Sequence, residues 1–282
     1  MNDEIKGQIS FSTGEMYGNS PIKITKPIRL IELFGGIGAQ SKALENLGAD
    51  FEVWNYCEID RFAVQSYNAV HGTNFTPTDI TKLHASDLRI EDTDKYAYLL
   101  TYSFPCQDIS LAGKGRGFNK ENQSSEETKT RSGLLWEVER LLDECIAHNG
   151  NLPQYLLMEN VPAVHSKKHL ADFEKWISHL TKLGYTSVWQ DLNAKDYGIP
   201  QNRNRTFMVS WLGSGNYEFP EPIPLGKVLK DLLEEEWVDE KYYLNPVKVQ
   251  EFVDKNLVKI REYAEKDGGT IEAITSATIT SR

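Results

Sequence analysis

The sequence predicts an α/β fold, with an open, largely parallel sheet, helices on both faces, and the beginning of a smaller second region. Short apolar runs alternate with helical patterns at regular intervals, as in strand-helix-strand units. The first such run leads through a glycine turn into a helix, the usual opening of a doubly wound sheet. The character of the chain then changes after Gly213, where Pro220, Pro222 and Pro224 mark a boundary.

Each element follows from its residues. Residues 1–27 show no sustained periodicity and read as an irregular N-terminal arm. Ile28 to Phe34 reads as a buried strand, broken by Gly35-Gly36-Ile37-Gly38; Ala39 to Leu47 then reads as a helix that Gly48 ends. Glu52 to Cys57 is a second strand and Arg61 to Val70 a helix; a weaker β candidate precedes Asp79-Ile80, and Ala97 to Phe104 is a further strand. From Ser132 to Ala147, Leu135, Val138, Leu142 and Ile146 recur at spacings of 3, 4 and 4, an amphipathic helix. A strand at Tyr155 to Met158 follows. A helix around Leu170 to Leu183 carries Phe173, Trp176, Ile177 and Leu180 on one face, and two strands, Thr186 to Asp191 and Thr206 to Leu212, close the domain. One domain is thus expected over 28–213, and a connector with an incomplete second region over 214–282. That region holds a short helix near 225–235, an extended patch at Tyr242-Tyr243-Leu244, helical spacing over 247–266 and an unfinished strand or hairpin over 271–280.

Composition narrows the possible classes. The 282 residues are 40% hydrophobic, enough for one large core with a smaller appendage. Nothing resembles a secretory signal, and no apolar run approaches the roughly 20 residues of a membrane helix. Cys57, Cys106 and Cys145 are too widely spaced for a disulfide framework or a zinc pattern, and the six histidines form no close cluster, so no metal is expected. A reducing cytosol fits these thiols best. The formal net charge of -10 argues against a nucleic-acid partner only for the chain as a whole. From Leu111 to Lys120 the chain carries Lys114, Arg116 and Lys120 without an acid, although Glu234-Glu235-Glu236 would repel phosphate. With Gly113, Gly115, Gly117 and a polar stretch after them, residues 111–130 read as a mobile loop over a phosphate backbone.

Two sets of residues suggest chemistry. In the first, the glycine turn lets a ligand approach the backbone, but Ser41 stands where a dinucleotide fingerprint has its last glycine. Glu58, 20 residues beyond Gly38, can accept from both hydroxyls of a ribose, with Asp60 as its local rival; Asp79-Ile80 can meet an adenine amino group. Ribose and adenine without phosphate point to S-adenosylmethionine; the alternative is an ordinary tight turn with a solvated acid. In the second set, Cys106 follows one strand in Pro105-Cys106-Gln107 and Glu159 follows another in Glu159-Asn160-Val161. At adjacent strand ends they face one crevice, where a thiolate adds to C6 of cytosine. An acid held protonated by a semi-buried site meanwhile serves N3. C5 then takes the methyl group, a base removes the C5 proton, and elimination expels Cys106. A target base within a duplex must first be flipped out. In Gln201-Asn202-Arg203-Asn204-Arg205, Arg203 and Arg205 lie at i and i+2 at the start of a strand, so both face one site, for a phosphate and for the base or Glu159.

Together these residues resemble the DNA (cytosine-5) methyltransferase family, whose catalytic domain has a Rossmann-like fold. The resemblance implies that Phe34 stacks on adenine within the cofactor turn Phe34-Gly35-Gly36-Ile37-Gly38. It also implies that Glu58-Ile59, Asp79-Ile80, Pro105 and Leu134 complete the S-adenosylmethionine site. It assigns catalysis to Cys106, Glu159, Arg203 and Arg205, and substrate contacts to Gln107, Lys114, Arg116, Asn160, Val161 and Gln201. Six motifs stand in the family's order between Leu30 and Val209, including Thr130-Arg131-Ser132-Gly133-Leu134-Leu135. The family's last motifs, including one around a Gly-Asn pair, are not visible. The end of the chain resembles a recognition domain cut short, so a complementary C-terminal fragment is an expected partner beside duplex DNA. The implied setting is a cytoplasmic enzyme of prokaryotic or phage type, with restriction-modification as its context. Two alternatives stay open: a cytosine-5 methyltransferase acting on transfer RNA, and a non-catalytic DNA-binding remnant.

Overall fold

A computed structural model describes residues 20–106, 132–227, 229–232, 239 and 245–267. Its strands are β1 (Ile28–Leu33), β2 (Phe51–Cys57), β3 (Ala97–Tyr102), β4 (Tyr155–Asn160), β5 (Tyr185–Asn193) and β6 (Asn204–Leu212). They form one sheet in the order β2-β1-β3-β4-β6-β5. Pairing is parallel between β1 and β2, β1 and β3, and β3 and β4. β6 runs antiparallel to β4, so the sheet is mixed rather than uniformly parallel. Chain length explains the reversal. A parallel crossover needs a dozen or more residues, whereas Ala194 to Arg203 is a shorter link without an α-helix. Ser187 meets Ser210 at 2.8 Å, as in a hairpin between β5 and β6.

The parallel half is the most deeply buried part. Leu30, Ile31 and Leu33 of β1 are all within 1% of full burial, which covers both faces of that strand. Among the described residues, the sheet is accompanied by α1 (Ala39–Asn46), α2 (Arg61–His71), α3 (Ala85–Leu88), α4 (Leu135–Asn149) and α5 (Leu170–Lys182), and a further helix, α6 (Pro246–Asp267), comes late in the chain. The expected face of α5 is buried, with Phe173, Trp176, Ile177 and Leu180 inside. Trp176 Nε1 also donates to the Tyr102 hydroxyl at 3.0 Å, tying that helix to β3. α2 starts on Asp60, whose carboxylate accepts from the amides of Phe62 and Ala63, and ends on Gly72 at φ 64°.

Two local expectations change. No strand precedes Asp79. The segment is held to the end of β2 by Thr78 N donating to the Glu58 carbonyl at 2.7 Å and by the Cys57 thiol donating to the Thr78 carbonyl at 3.5 Å, and leads into a 3-10 turn, Ile80–Lys82. Glu159 and Asn160 do not follow β4 but belong to it, because they pair with Phe207 and Thr206 of β6 after the pairing with β3 has ended at Met158.

The chain divides into two compact units, Met1–Asp191 with Arg205–Phe219, and Leu192–Asn204 with Pro220–Arg282. The first therefore runs past Gly213 to Phe219, and the link between β5 and β6 goes with the second. Within the second unit Tyr197 bridges Ile223, the Ile223 amide donates to the Asp196 carbonyl at 2.8 Å, and the Tyr197 hydroxyl donates to Pro220 O at 3.0 Å. Its helix α6 has the length expected from the spacing, with Val247 and Val258 exposed. Only the 3-10 turn Leu229–Leu232 is described within the short helix expected near 225–235. The patch Tyr242-Tyr243-Leu244, residues 271–280, most of the N-terminal arm and the loop 111–130 lie outside the described residues. Among the described residues, no helix is long and apolar enough to cross a membrane.

Candidate active site

The cofactor turn is built from backbone geometry. Phe34 leaves β1 at φ 56°, a left-handed conformation uncommon for an aromatic residue, and its amide successor Gly35 donates to the Cys57 carbonyl at 3.2 Å. At Gly35 a Cβ would stand 2.6 Å from the Tyr56 ring. At Gly38, with φ 82°, it would overlap both His71 and Tyr67. Gly36 needs its φ of 53° but faces open space. The Tyr56 hydroxyl clamps the turn by donating to the Gly36 carbonyl at 2.7 Å.

Glu58 and its rival Asp60 separate by their partners. Asp60 is committed to capping α2. Glu58 accepts the Gly36 amide on one oxygen at 3.2 Å and the Asp60 amide on the other at 2.9 Å. A carboxylate has about four acceptor positions, so a backbone-oriented Glu58 retains capacity for two ribose hydroxyls. Ile59 beside it is 66% exposed, an apolar surface next to the acid, while Ile80 is buried. Asp79 accepts from the Thr81 amide and hydroxyl on one oxygen, and those bonds hold its carboxyl below the usual value. Leu134 packs half-buried against the core at the start of α4. An open glycine turn, an acid with spare acceptors and exposed apolar surface fit a nucleoside-bearing cofactor.

Ser41, the departure from the dinucleotide fingerprint, has a structural partner that sequence reasoning missed. Glu32 of β1 is fully buried and accepts from the Ser41 amide, the Ser41 hydroxyl at 2.6 Å and the Tyr67 hydroxyl at 2.5 Å. Burial first, and Glu32 second, raise the Tyr67 phenol far above its ordinary value, so it stays a donor. The cluster fixes α1 to β1 and α2 beneath the turn. A lone acid in the apolar run Ile28 to Phe34 was its only signal.

The nucleophile and the acid follow from strand register. β3 and β4 are neighbours in register Tyr102 with Met158, so the chain toward Pro105-Cys106 peels away where Glu159 begins. Cys106 is a partly exposed free thiol, whereas Cys57 and Cys145 are buried, and burial pushes both of those thiols up to about 12. Glu159 is 21% exposed and pairs with Arg205 Nε at 3.0 Å. Arg205 thus stands beside Glu159, one of the two roles expected of that arginine. Asn160, expected at the substrate, is turned inward: it is buried, donates to the Phe104 carbonyl at 3.0 Å and accepts from the Val161 amide at 2.8 Å. It braces the chain just before Cys106 against β4. Gln40 Nε2, donating to Ser103 Oγ at 3.4 Å, links the start of α1 to the same segment.

Arg203 and Arg205 fall on either side of the division between the two units. Arg205 lies on β6 in the first unit, while Arg203 precedes the strand, is exposed and falls in the second. Asn193 organises that second segment by accepting from the Arg203 amide at 3.0 Å and donating to Asn202 at 2.8 Å, with Gln201 half-buried nearby in sequence. Gln107, Lys114 and Arg116 lie outside the described residues. Among the described residues, Glu139 and Asp143 on α4 and His179 on α5 bring their ligand atoms within 4.8 Å of one another, a grouping that could hold a cation. His179 pairs with Asp143 at 2.9 Å there. The histidine count gave no hint, because the donors come from two helices.

A glycine turn after β1, an acid after β2 and a thiol after β3, in this strand order, define the class: the S-adenosylmethionine-dependent methyltransferase fold. Residues 28–276 match the model of the C-5 cytosine-specific DNA methylases, and the chain belongs to that family. It is 33% identical to the type II methyltransferase M2.ScrFI of Lactococcus lactis subsp. cremoris, over 77% of this chain and 70% of that protein. It is likewise 33% identical to the orphan methyltransferase M.SssI of Spiroplasma monobiae, over 78% of this chain and 68% of that one. In structure it is similar to the Dnmt2 methyltransferase of S. pombe, with a TM-score of 0.58 at 23% identity, over 80% of this chain and 65% of that one.

Proposed function

We propose that this protein transfers a methyl group from S-adenosylmethionine to C5 of cytosine in duplex DNA. The single observation that carries the reading is the β3-β4 register, which brings the Cys106 segment and the Arg205-paired Glu159 to adjacent strand ends. Phe34, Gly35, Gly36, Gly38, Glu58, Ile59, Asp79, Ile80, Pro105 and Leu134 would hold the cofactor, which when bound supplies an electrophilic methyl group. Cys106 adds as thiolate to C6 of the flipped base, and its electron pair moves into the ring toward C5. Glu159, oriented by Arg205, carries the hydrogen bond or proton at N3. After C5 is methylated, a base takes the C5 proton, the ring double bond re-forms, and the Cys106-C6 bond breaks to return the thiolate. Gln107, Lys114, Arg116, Val161, Gln201 and Arg203 would contact the substrate, while Asn160 acts through the Phe104 carbonyl. The description of the matching family supports DNA as the substrate, and the bacterial and phage sources of the relatives support a cytoplasm of that kind as the setting.

Duplex DNA containing 5-fluorocytosine tests the mechanism, because the fluorine blocks the last elimination and leaves the protein covalently attached. The parent should form the adduct with cofactor present, and Cys106→Ser should lose it entirely. An adduct that persists in Cys106→Ser would sink the mechanism. Labelled cofactor offered with small RNA in place of DNA reads the RNA alternative directly.

A further inference from the structure

The far face of the Glu159 strand carries a side-chain cluster that the reaction does not use. His165 Nε2 contacts both oxygens of Asp191, at 3.0 and 3.2 Å, and Thr206 Oγ1 donates to Asp191 Oδ1 at 2.5 Å. The imidazole lies against the Trp189 ring, with centroids 4.5 Å apart, and Thr206 is fully buried. These groups come from three elements, the turn after β4, β5 and β6. His165 closes the 3-10 turn Pro162–His165, directly after Glu159-Asn160-Val161. Asp191 is near the end of β5. Thr206 follows Arg205 on β6 and is the backbone partner of Asn160. Alternation along a strand puts Thr206 and Asn160 on the face opposite Arg205 and Glu159.

The need for such a fastening follows from the register. β3 stops pairing at Met158, so Glu159 and Asn160 are hydrogen-bonded as strand residues only toward β6. The end of a strand with one neighbour frays unless its continuation is tied down. We propose that His165, Asp191 and Thr206 are positioning residues that latch the chain leaving β4 to the β5-β6 hairpin and so hold Glu159 against Arg205. The latch itself stands on these contacts, and its consequence for methyl transfer rests on the function proposed above. A misplacement of about 1 Å at a catalytic group can cost on the order of a hundredfold in rate, so a loosened latch is expected to lower turnover without weakening the cofactor turn.

Four variants of the full 282-residue chain test this: Thr206→Val and His165→Leu, which break the latch, and Thr206→Ser and His165→Gln, which keep a donor toward Asp191. Amide exchange is read over residues 156–165 and, as the internal reference, over 33–40. The breaking variants should speed exchange in the first segment by about tenfold or more and leave the second unchanged, with both conservative variants near the parent. Unchanged exchange at 156–165, or an equal rise in both segments, overturns the latch. In single-turnover methylation, the breaking variants should lose about tenfold in rate, with cofactor KM within about twofold and rescue by the conservative pair. Equal losses in rate and cofactor affinity overturn the positioning role. A parent without methylation or a trapped adduct overturns the proposed function instead, and the exchange comparison still decides the latch.

Discussion

The two sides of the candidate site are built by different means. On the β1-β2 side, position is set by backbone: left-handed Phe34, Gly36 and Gly38, amides that orient Glu58, and Asp60 spent on a helix cap. On the β4-β6 side, position is set by side chains bonded across strands: Glu159 to Arg205, Asn160 to the Phe104 carbonyl, Asp191 to Thr206 and His165. Parallel strands end at one edge with turns that can cradle a ligand, so the first side rests on backbone shape, with the Glu32-Ser41-Tyr67 cluster and the Tyr56 hydroxyl holding the turn. An antiparallel neighbour aligns residues pair by pair, so the second side can aim one functional group with another. The first arrangement suits binding, and the second suits orienting an acid.

Substitutions should separate the two sides by what they change. The largest effect is expected at the acid. Glu159→Gln should slow single-turnover methylation by about 10²–10⁴-fold, the usual range for a general acid or base, with cofactor affinity nearly intact. Calorimetric titration alongside the rate measurement checks this, and a matching loss of cofactor affinity would merge the two sides into one. Next come the glycines. Gly38→Ala combines a left-handed φ with overlap of Tyr67 and His71, and should weaken S-adenosylmethionine binding by about tenfold or more. Gly36→Ala meets open space and should cost only about 1 kcal/mol in stability. Equal effects at the two positions would remove the close approach as the cause.

The smallest effect concerns Asp191. Burial raises its carboxyl, but the His165 and Thr206 bonds outweigh burial, and the net shift is downward. A depressed folded value means a stabilising contribution that is complete above the unfolded value near 3.9 and lost as pH falls through the lower folded one. Asp191→Asn should therefore lose about 1–2 kcal/mol at pH 7. In urea titrations, its deficit against the parent should shrink toward pH 3. A deficit independent of pH would assign the loss to packing instead.

Local pattern made much of this molecule legible. The alternation of strands and helices, the buried face of α5 and the glycine turn follow from apolar periodicity and from residues that break it. The positions of Cys106, Glu159 and Arg205 at strand boundaries were legible because each sits beside an apolar run that sets where a strand begins or ends. The antiparallel entry of β6 was less visible, since alternation shows that a strand exists but not which way it runs. Asn160 illustrates the same boundary. Its type suits either a substrate contact or a brace, and only the nearby Phe104 carbonyl assigns it to bracing. Nothing in their spacing joins His165, Asp191 and Thr206.

By itself, the sequence determined where most strands and helices form, which turn breaks the first strand and which thiol and acid stand at strand ends. Those features depend on interactions within a few residues, where side-chain size, branching and charge dominate. Tertiary structure alone decided that β6 opposes β4, that Glu58 takes the Gly36 amide while Asp60 caps α2, and that Arg205 pairs with Glu159. It also brought Glu32 to Ser41 and Tyr67, and Asp191 to His165 and Thr206. Each of these is a hydrogen-bonding choice among polar groups brought together by packing of the apolar ones. Such a choice follows from distance and direction, which residue order does not contain until the chain has folded.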